Sequence, residues 1–233
     1  MAPLIDGLFM IILKDPEAAR AMGLISAKAQ LVGGVADWAT FFSVLAQIVA
    51  VGGAIVFSIV TAWVFGREFS DRTAKELLAL STSRDAIVAA KFLVIAGWAF
   101  ALTLLIFLIG MVIGNLVDIP GWSQELLRSA SIDVAGSAVL SLALMPFVAL
   151  FAGIGHGELA PIGWTVLTIV LAQVAAVTGW GDWFPWSVPA LFSGAAGPRS
   201  EFIGPHSYAL VLLTGLSGLV ATFYWWRNAD QTK

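Results

Sequence analysis

Long runs without charge are the feature that most limits what this chain can fold into. Four segments contain no Asp, Glu, Lys or Arg: Thr40–Phe65, Phe92–Val117, Pro161–Gly179 and Tyr208–Trp226. A helix needs about 20 predominantly apolar residues to cross the hydrocarbon core of a bilayer, so each run is long enough for one crossing. The 59% share of hydrophobic residues and the mean hydropathy of +0.92 also differ from those of soluble proteins. The sequence therefore predicts an integral membrane protein made of α-helices.

Two further apolar segments extend this layout. Ile132–Gly155 is predicted to be a complete span, with Asp133 at its mouth and Pro146 inside, where neighbouring groups can satisfy the freed carbonyl. Pro3–Leu13 is too short to cross, and we interpret it as the outer end of a first span whose beginning is missing from this sequence. A cleaved signal peptide is the alternative, although the flanking basic and small residues that it requires are absent. The expected fold is all-α, a polytopic membrane helix bundle with five complete spans plus a short or truncated first span, in a single transmembrane domain over residues 1–233.

The connections between the spans are rich in polar residues, proline and glycine. Lys14–Trp38 is predicted to lie at the outer membrane surface as an elbow, with Asp15 capping a helix and Pro16 in its first turn. Trp180–Ser207 combines Trp, Pro and Gly, which favours a half-inserted element in the outer headgroup layer. The link His156–Ala160 is very short, so the spans on either side of it are expected to be antiparallel neighbours.

The segment Gly66–Lys91 is the one long, densely charged stretch, and it holds five of the 12 Lys and Arg residues. If this segment lies in the cytoplasm, seven Lys and Arg residues are inside and five are outside, in the direction of the positive-inside rule. The density of charge beside the first two complete spans strengthens that bias. The C-terminus is then cytoplasmic.

Within Gly66–Lys91 the sequence predicts an amphipathic helix, a break and the start of a membrane helix. Helical spacing places one apolar stripe along a charged helix. The stripe consists of Phe69, Thr73, Leu77 and Leu80. After a break at Leu80–Ser83, the pattern from Thr82 to Asp85 resembles a capping box and would begin the next helix close to Asp85. We favour docking of the stripe on a protein partner; adhesion to the membrane surface and a plain solvated loop are the alternatives.

The sequence lacks the residues that several kinds of catalytic and binding site require. The chain has no Cys and only two, widely separated His residues, which argues against a metal site. It contains no GxxxxGK[ST], GxSxG or HExxH pattern, so we expect neither an enzyme nor a P-loop of its own. No basic block favours nucleic acid as a partner. Asp133 is interpreted as an interfacial carboxylate, and His156 with Glu158 as a solvated turn. Energy must therefore come from another chain or from an ion gradient.

The charged segment resembles the signature region of the ABC-2 exporter permease family, whose members are membrane subunits that pair with a separate ATP-binding subunit. The shared order is a Gly-x-Glu at the end of a span, an Asp-x-Thr, a Leu-Leu, a Ser-Arg and a Lys that opens the next span. The matching residues are Phe65–Phe69, Asp71–Thr73, Leu77–Leu80, Ser83–Arg84 and Ala90–Lys91. The family often has Pro after the Leu-rich run, where this chain has Ser81.

This resemblance implies a six-span permease with a cytoplasmic amphipathic coupling helix that inserts into a groove of the ATPase, with Glu68 and Arg84 as polar contacts. The ATPase-coupling residues expected on this basis are Arg67, Glu68, Phe69, Asp71, Arg72, Thr73, Leu77, Leu78 and Arg84. The resemblance also implies export across a prokaryotic plasma membrane by a homodimer or heterodimer of permease halves in lipid. No cofactor is expected on this chain, because ATP and Mg would be bound by the partner ATPase subunit. A gradient-driven secondary transporter or channel is the alternative.

Overall fold

The computed structural model describes residues 2–15, 35–73, 76, 81–196 and 203–228, and all of its regular structure is helical. Most of the predicted elbow lies outside the described residues, as do Leu77 and Leu80 of the predicted stripe and Leu78 of the predicted coupling site. The helices are α1 Ala2–Lys14, α2 Trp38–Ser70, α3 Arg84–Val117, α4 Gln124–Ala143, α5 Met145–Ile154, α6 Leu159–Val177, α7 Val188–Ser193 and α8 Pro205–Asn228, with 3₁₀ turns at Gly181–Trp183 and Pro185–Ser187.

Five helical units are long and apolar enough to cross a membrane: α2, α3, α4 with α5, α6 and α8. They correspond to the five complete spans that the sequence predicts, but several bounds differ. α2 and α3 run past the predicted spans, to Ser70 and back to Arg84. α6 and α8 differ from the predicted bounds by only two or three residues at each end. Hydropathy therefore locates the five candidate crossings but not the residues at which each helix begins and ends.

The third predicted span is two helices rather than one. α4 begins at Gln124, eight residues before the predicted start of the span, so Asp133 lies inside a helix. The helix breaks at Leu144, because Pro146 has no N–H to donate and its ring crowds the carbonyl four residues earlier. α8 packs against the break: Thr222 Oγ1 donates to the Pro146 carbonyl at 3.0 Å, and a Cβ at Gly215 would clash with the Ala143 carbonyl. The last span, α8, therefore packs closely against the kink between α4 and α5.

The short helix α1 packs against α3 and α2. Lys14 Nζ donates to the carbonyls of Val117 and Asp118, at 3.2 and 3.1 Å, and so satisfies acceptors at the end of α3. Asp6 lies in the middle of α1 with 1% of its surface exposed, and neither carboxylate oxygen has a hydrogen-bond partner in the described part of the chain. Asp6 lies outside the five complete spans, so it was not among the candidate ionisable groups predicted from the sequence.

Replacing Asp6 by Leu should stabilise the protein. Burial of an unpartnered polar group costs about 1–3 kcal/mol, and Leu has the same branched side-chain shape without that penalty. We expect Asp6→Leu to raise the melting temperature in detergent, followed by tryptophan fluorescence. The matched control is Asp15→Leu at the exposed end of the same helix, where no increase is expected. A lower melting temperature for Asp6→Leu than for the wild type would show that the carboxylate makes a favourable interaction.

Candidate functional site

Four elements meet at the end of the bundle that carries the charged segment, which we call the charged end: the C-terminus of α2, the N-terminus of α3, the link 155–158 between α5 and α6, and the C-terminus of α8. Gly66 marks the closest approach. A Cβ there would lie 2.9 Å from both Glu158 Cγ and the carbonyl carbon of Gly157. Only glycine lets α2 lie this close to the 155–158 link.

α2 ends in a fixed turn that reverses the chain directly after Ser70. The N–H of Thr73 donates to the Glu68 carbonyl at 2.9 Å, and the N–H of Arg72 donates to the Phe69 carbonyl at 3.2 Å. Arg72 has a φ of 60°, in the left-handed region where this type of helix cap usually has glycine. The predicted surface helix starting at Phe69 is therefore wrong at its start, because Phe69 belongs to the last turn of α2 and Thr73 is not helical.

Glu68 and Lys91 form a buried ion pair between α2 and α3. Lys91 Nζ lies 2.5 Å from Glu68 Oε1, with side-chain exposures of 9% and 18%. The same ammonium donates to the Val64 carbonyl and lies 5.3 Å and 5.6 Å from the ring centroids of Phe65 and Trp226. Glu68 Oε2 has no hydrogen-bond partner in the described ranges. Removing one member of such a pair destabilises a protein by about 3–5 kcal/mol, since the other charge is left buried.

Phe69 faces the bundle and is half-buried. Its ring centroid lies 5.4 Å from His156, 5.9 Å from Trp226 and 6.0 Å from Trp225. This aromatic cluster joins the end of α2 to the 155–158 link and to the last span. His156, interpreted from the sequence as part of a plain solvated turn, is exposed and also packs against two aromatic rings.

The start of α3 is tied to the end of α8. Ser83 caps α3 by accepting from the Ala86 N–H at 3.3 Å, so α3 begins close to Asp85, as the capping pattern predicts. Arg84 Nη1 donates to the carbonyls of Trp226 and Arg227 at 3.2 and 3.1 Å. These carbonyls lie in the last turn of α8, where no N–H of the helix donates to them. A cation at this end also interacts favourably with the helix dipole.

Arg227 and Asp85 add a two-bond contact next to Arg84, with Nε–Oδ1 and Nη2–Oδ2 distances of 2.6 and 2.7 Å. Neither residue is among the site residues predicted from the sequence. They are 142 positions apart, and no local pattern connects them. The sequence signal nearest to Arg227 is the run Tyr224–Arg227, whose aromatic and basic residues are typical of a membrane anchor at an interface.

The nine predicted site residues thus fall into separate groups. Arg67, Asp71, Arg72 and Thr73 are exposed, and the Arg67 guanidinium stacks 4.7 Å from the Trp63 ring centroid. The side chains of Glu68, Phe69 and Arg84 contact other helices of the same chain. Leu77 and Leu78 lie outside the described residues. The structure therefore brings seven of the nine to one end of the bundle, with four of them on its surface.

Five helical units long and apolar enough to cross a membrane, with a charged turn between the first two, indicate an integral membrane protein. The model of the ABC-2 family transporter proteins matches residues 19–173. The chain belongs to this family and is a membrane subunit of an ABC transporter, which confirms the resemblance found in its charged segment. It is also 26% identical over 196 residues to the bacitracin transport permease protein BCRB of Bacillus licheniformis, an alignment that covers 82% of this chain and 91% of that protein. No solved structure matches the chain significantly.

The left-handed residue after α2 allows the backbone role of Arg72 to be separated from any contact role of its side chain. Glycine adopts positive φ without the penalty of about 1–2 kcal/mol that a side chain incurs. We expect Arg72→Gly to melt at or above the wild-type temperature and Arg72→Val to melt below it. A destabilised Arg72→Gly variant would instead show that the arginine side chain supports the fold.

Proposed function

We propose that this chain is the permease subunit of an ATP-driven exporter, and that it performs no chemistry itself. A separate ATPase subunit binds ATP and Mg, docks on the charged end, and moves the spans by pressing on residues 66–91. The observation that carries this proposal is the convergence of four elements at the charged end. The family to which the chain belongs and the lack of a P-loop pattern in its sequence support it.

The geometry suits the transfer of force into the membrane. α2 and α3 contain 33 and 34 residues, so each is about 50 Å long at about 1.5 Å per residue. Both run without a break from the charged end to the opposite side. Displacement of the connection between Ser70 and Arg84 would therefore act directly on two complete spans. The aromatic contacts of Phe69 and the hydrogen bonds of Arg84 extend that action to the 155–158 link and to α8.

The exposed group formed by Arg67, Asp71, Arg72 and Thr73 is the proposed surface for the ATPase. Leu77 and Leu78 belong to the same proposed site by resemblance. The proposed surface is supported from inside the bundle by the side chains of Glu68, Phe69 and Arg84. Of these, Glu68 and Arg84 can contact the ATPase only if they give up some of their present partners. This division favours surface substitutions as the test of docking, because changes at the inward residues would also disturb the fold.

The proposed arrangement places the charged end and the C-terminus in the cytoplasm, in accordance with the positive-inside bias. Two permease halves, identical or different, enclose the pathway in a prokaryotic plasma membrane. The similarity to the bacitracin transport permease makes bacitracin the first cargo to test. Asp6, which is buried without a hydrogen-bond partner in the described part of the chain, favours a gradient-driven carrier instead, since membrane carboxylates commonly serve in proton relays.

The docking test exchanges charges on the exposed surface. Arg67 Nε lies 3.9 Å from Asp71 Oδ2, and the variant Arg67→Glu with Asp71→Arg retains this i, i+4 pair in reverse order, so the fold should be unaffected. We expect association with the partner ATPase subunit to weaken by about tenfold or more, because like charges in an interface cost several kcal/mol. Co-purification and titration of the purified partners measure the effect.

The matched control is Arg128→Glu, at the exposed start of α4 near the other end of the bundle. This substitution should leave ATPase association unchanged. Unaltered association of the charge-exchanged variant would contradict docking at this surface. Bacitracin transport into inside-out vesicles that follows an imposed proton gradient and ignores ATP would favour the carrier.

A further inference from the structure

We propose that Glu68 and Lys91 are a positioning pair, which holds the ends of α2 and α3 at one separation and so aims the segment between them at the ATPase. The proposal rests on the proposed function, and it assigns these two residues a role other than contact with the ATPase. Lys91 also lies outside the set of site residues that the sequence predicted.

The pair occupies the place where the two longest spans converge on the charged segment. Glu68 is three residues from Asp71, where α2 has ended, and Lys91 lies on the third turn of α3. The ammonium holds α2 at two points, the Glu68 carboxylate and the Val64 carbonyl. It also lies near the Trp226 ring at the end of α8. Three spans are thus linked through one buried nitrogen.

Stability alone does not explain an ion pair at this position. Apolar residues of similar size commonly replace a buried pair without loss of stability, and the surroundings of Lys91 are already apolar and aromatic. A charged pair differs from apolar packing in its fixed distance and direction: it allows one register of α2 against α3, whereas two apolar side chains can slide past each other. We infer that the pair fixes this register. The register in turn sets the positions of Ser70 and Arg84, the two ends of the connecting segment.

The test compares the double variant Glu68→Met with Lys91→Met against the wild type. Because the chain has no Cys, Ser70→Cys on α2 and Ala89→Cys on α3 provide two specific spin-label sites, both at exposed positions. We expect the double Met variant to melt near the wild-type temperature. We also expect the distribution of distances between the labels to broaden, and the permease-dependent part of the ATPase rate to fall by about tenfold, a size that residues coupling two sites can reach.

Two further variants sharpen the result. Asp85→Met with Arg227→Met removes the exposed ion pair between α3 and α8 at the same end and should leave the label distances unchanged. Lys91→Arg keeps the charge and should give a narrower distance distribution than the double Met variant, even if the latter accumulates poorly. A wild-type distance distribution and a wild-type ATPase rate in the double Met variant would overturn the proposal and leave the pair with a purely structural role.

The two readouts separate this inference from the proposed function. The label distances are measured on the permease alone, and therefore do not depend on the identity of its energy source. If no form of the chain binds the ATPase but the distances respond as expected, the positioning role stands and the proposed partner is wrong. If the ATPase binds and the distances do not respond, the partner stands and the positioning role is wrong.

Discussion

A helix in lipid must satisfy its own backbone hydrogen bonds, so the ends of the spans are the only places where the chain can turn. At the charged end two spans stop in the same way, with a left-handed residue that is not glycine: Arg72 after α2 and His156 after α5. Each turn uses two backbone bonds back into the preceding helix. The turns also touch, since the ring of Phe69 packs against that of His156. Both connections are therefore fixed at their start by backbone hydrogen bonds.

The sequence predicted the crossings well because burial in lipid is a local property of composition. A run of apolar residues long enough to span the bilayer is visible without knowledge of its neighbours, and the capping Ser83 is equally local. The predicted start of the surface helix was wrong because the end of α2 is not visible in local composition. Helical periodicity continues from Val64 through Ser70, and the pattern itself does not show that Arg72 adopts a left-handed conformation. The break at Leu144 was visible only as Pro146, whose effect depends on how α8 fills the kink.

The contacts that define the candidate site could not be obtained in this way. Lys91 pairs with Glu68 across 23 positions, and Arg84 reaches carbonyls 142 and 143 positions away. The family signature marks Glu68, Arg84 and Lys91 as a group but does not say which of them face a partner and which face the bundle. The three-dimensional packing shows which of these residues face the bundle. It places charged residues of the same type in different environments. Arg67 and Arg84 are both arginines of the same segment, yet the first stacks on an exposed Trp63 and the second closes the end of another helix.

The end of α8 is therefore part of the proposed coupling site, although the sequence suggested only a membrane anchor there. Its last carbonyls accept from Arg84, its Trp226 ring lies near the Lys91 ammonium, and its Arg227 pairs with Asp85. All three contacts are made to the first three turns of α3. A movement of α3 at the charged end must either carry α8 with it or break these contacts together. Since α8 packs on the kink between α4 and α5 through Thr222, the same movement reaches the middle of the bundle. In a permease driven from this end, as proposed, these contacts would connect the proposed docking surface to the middle of the bundle.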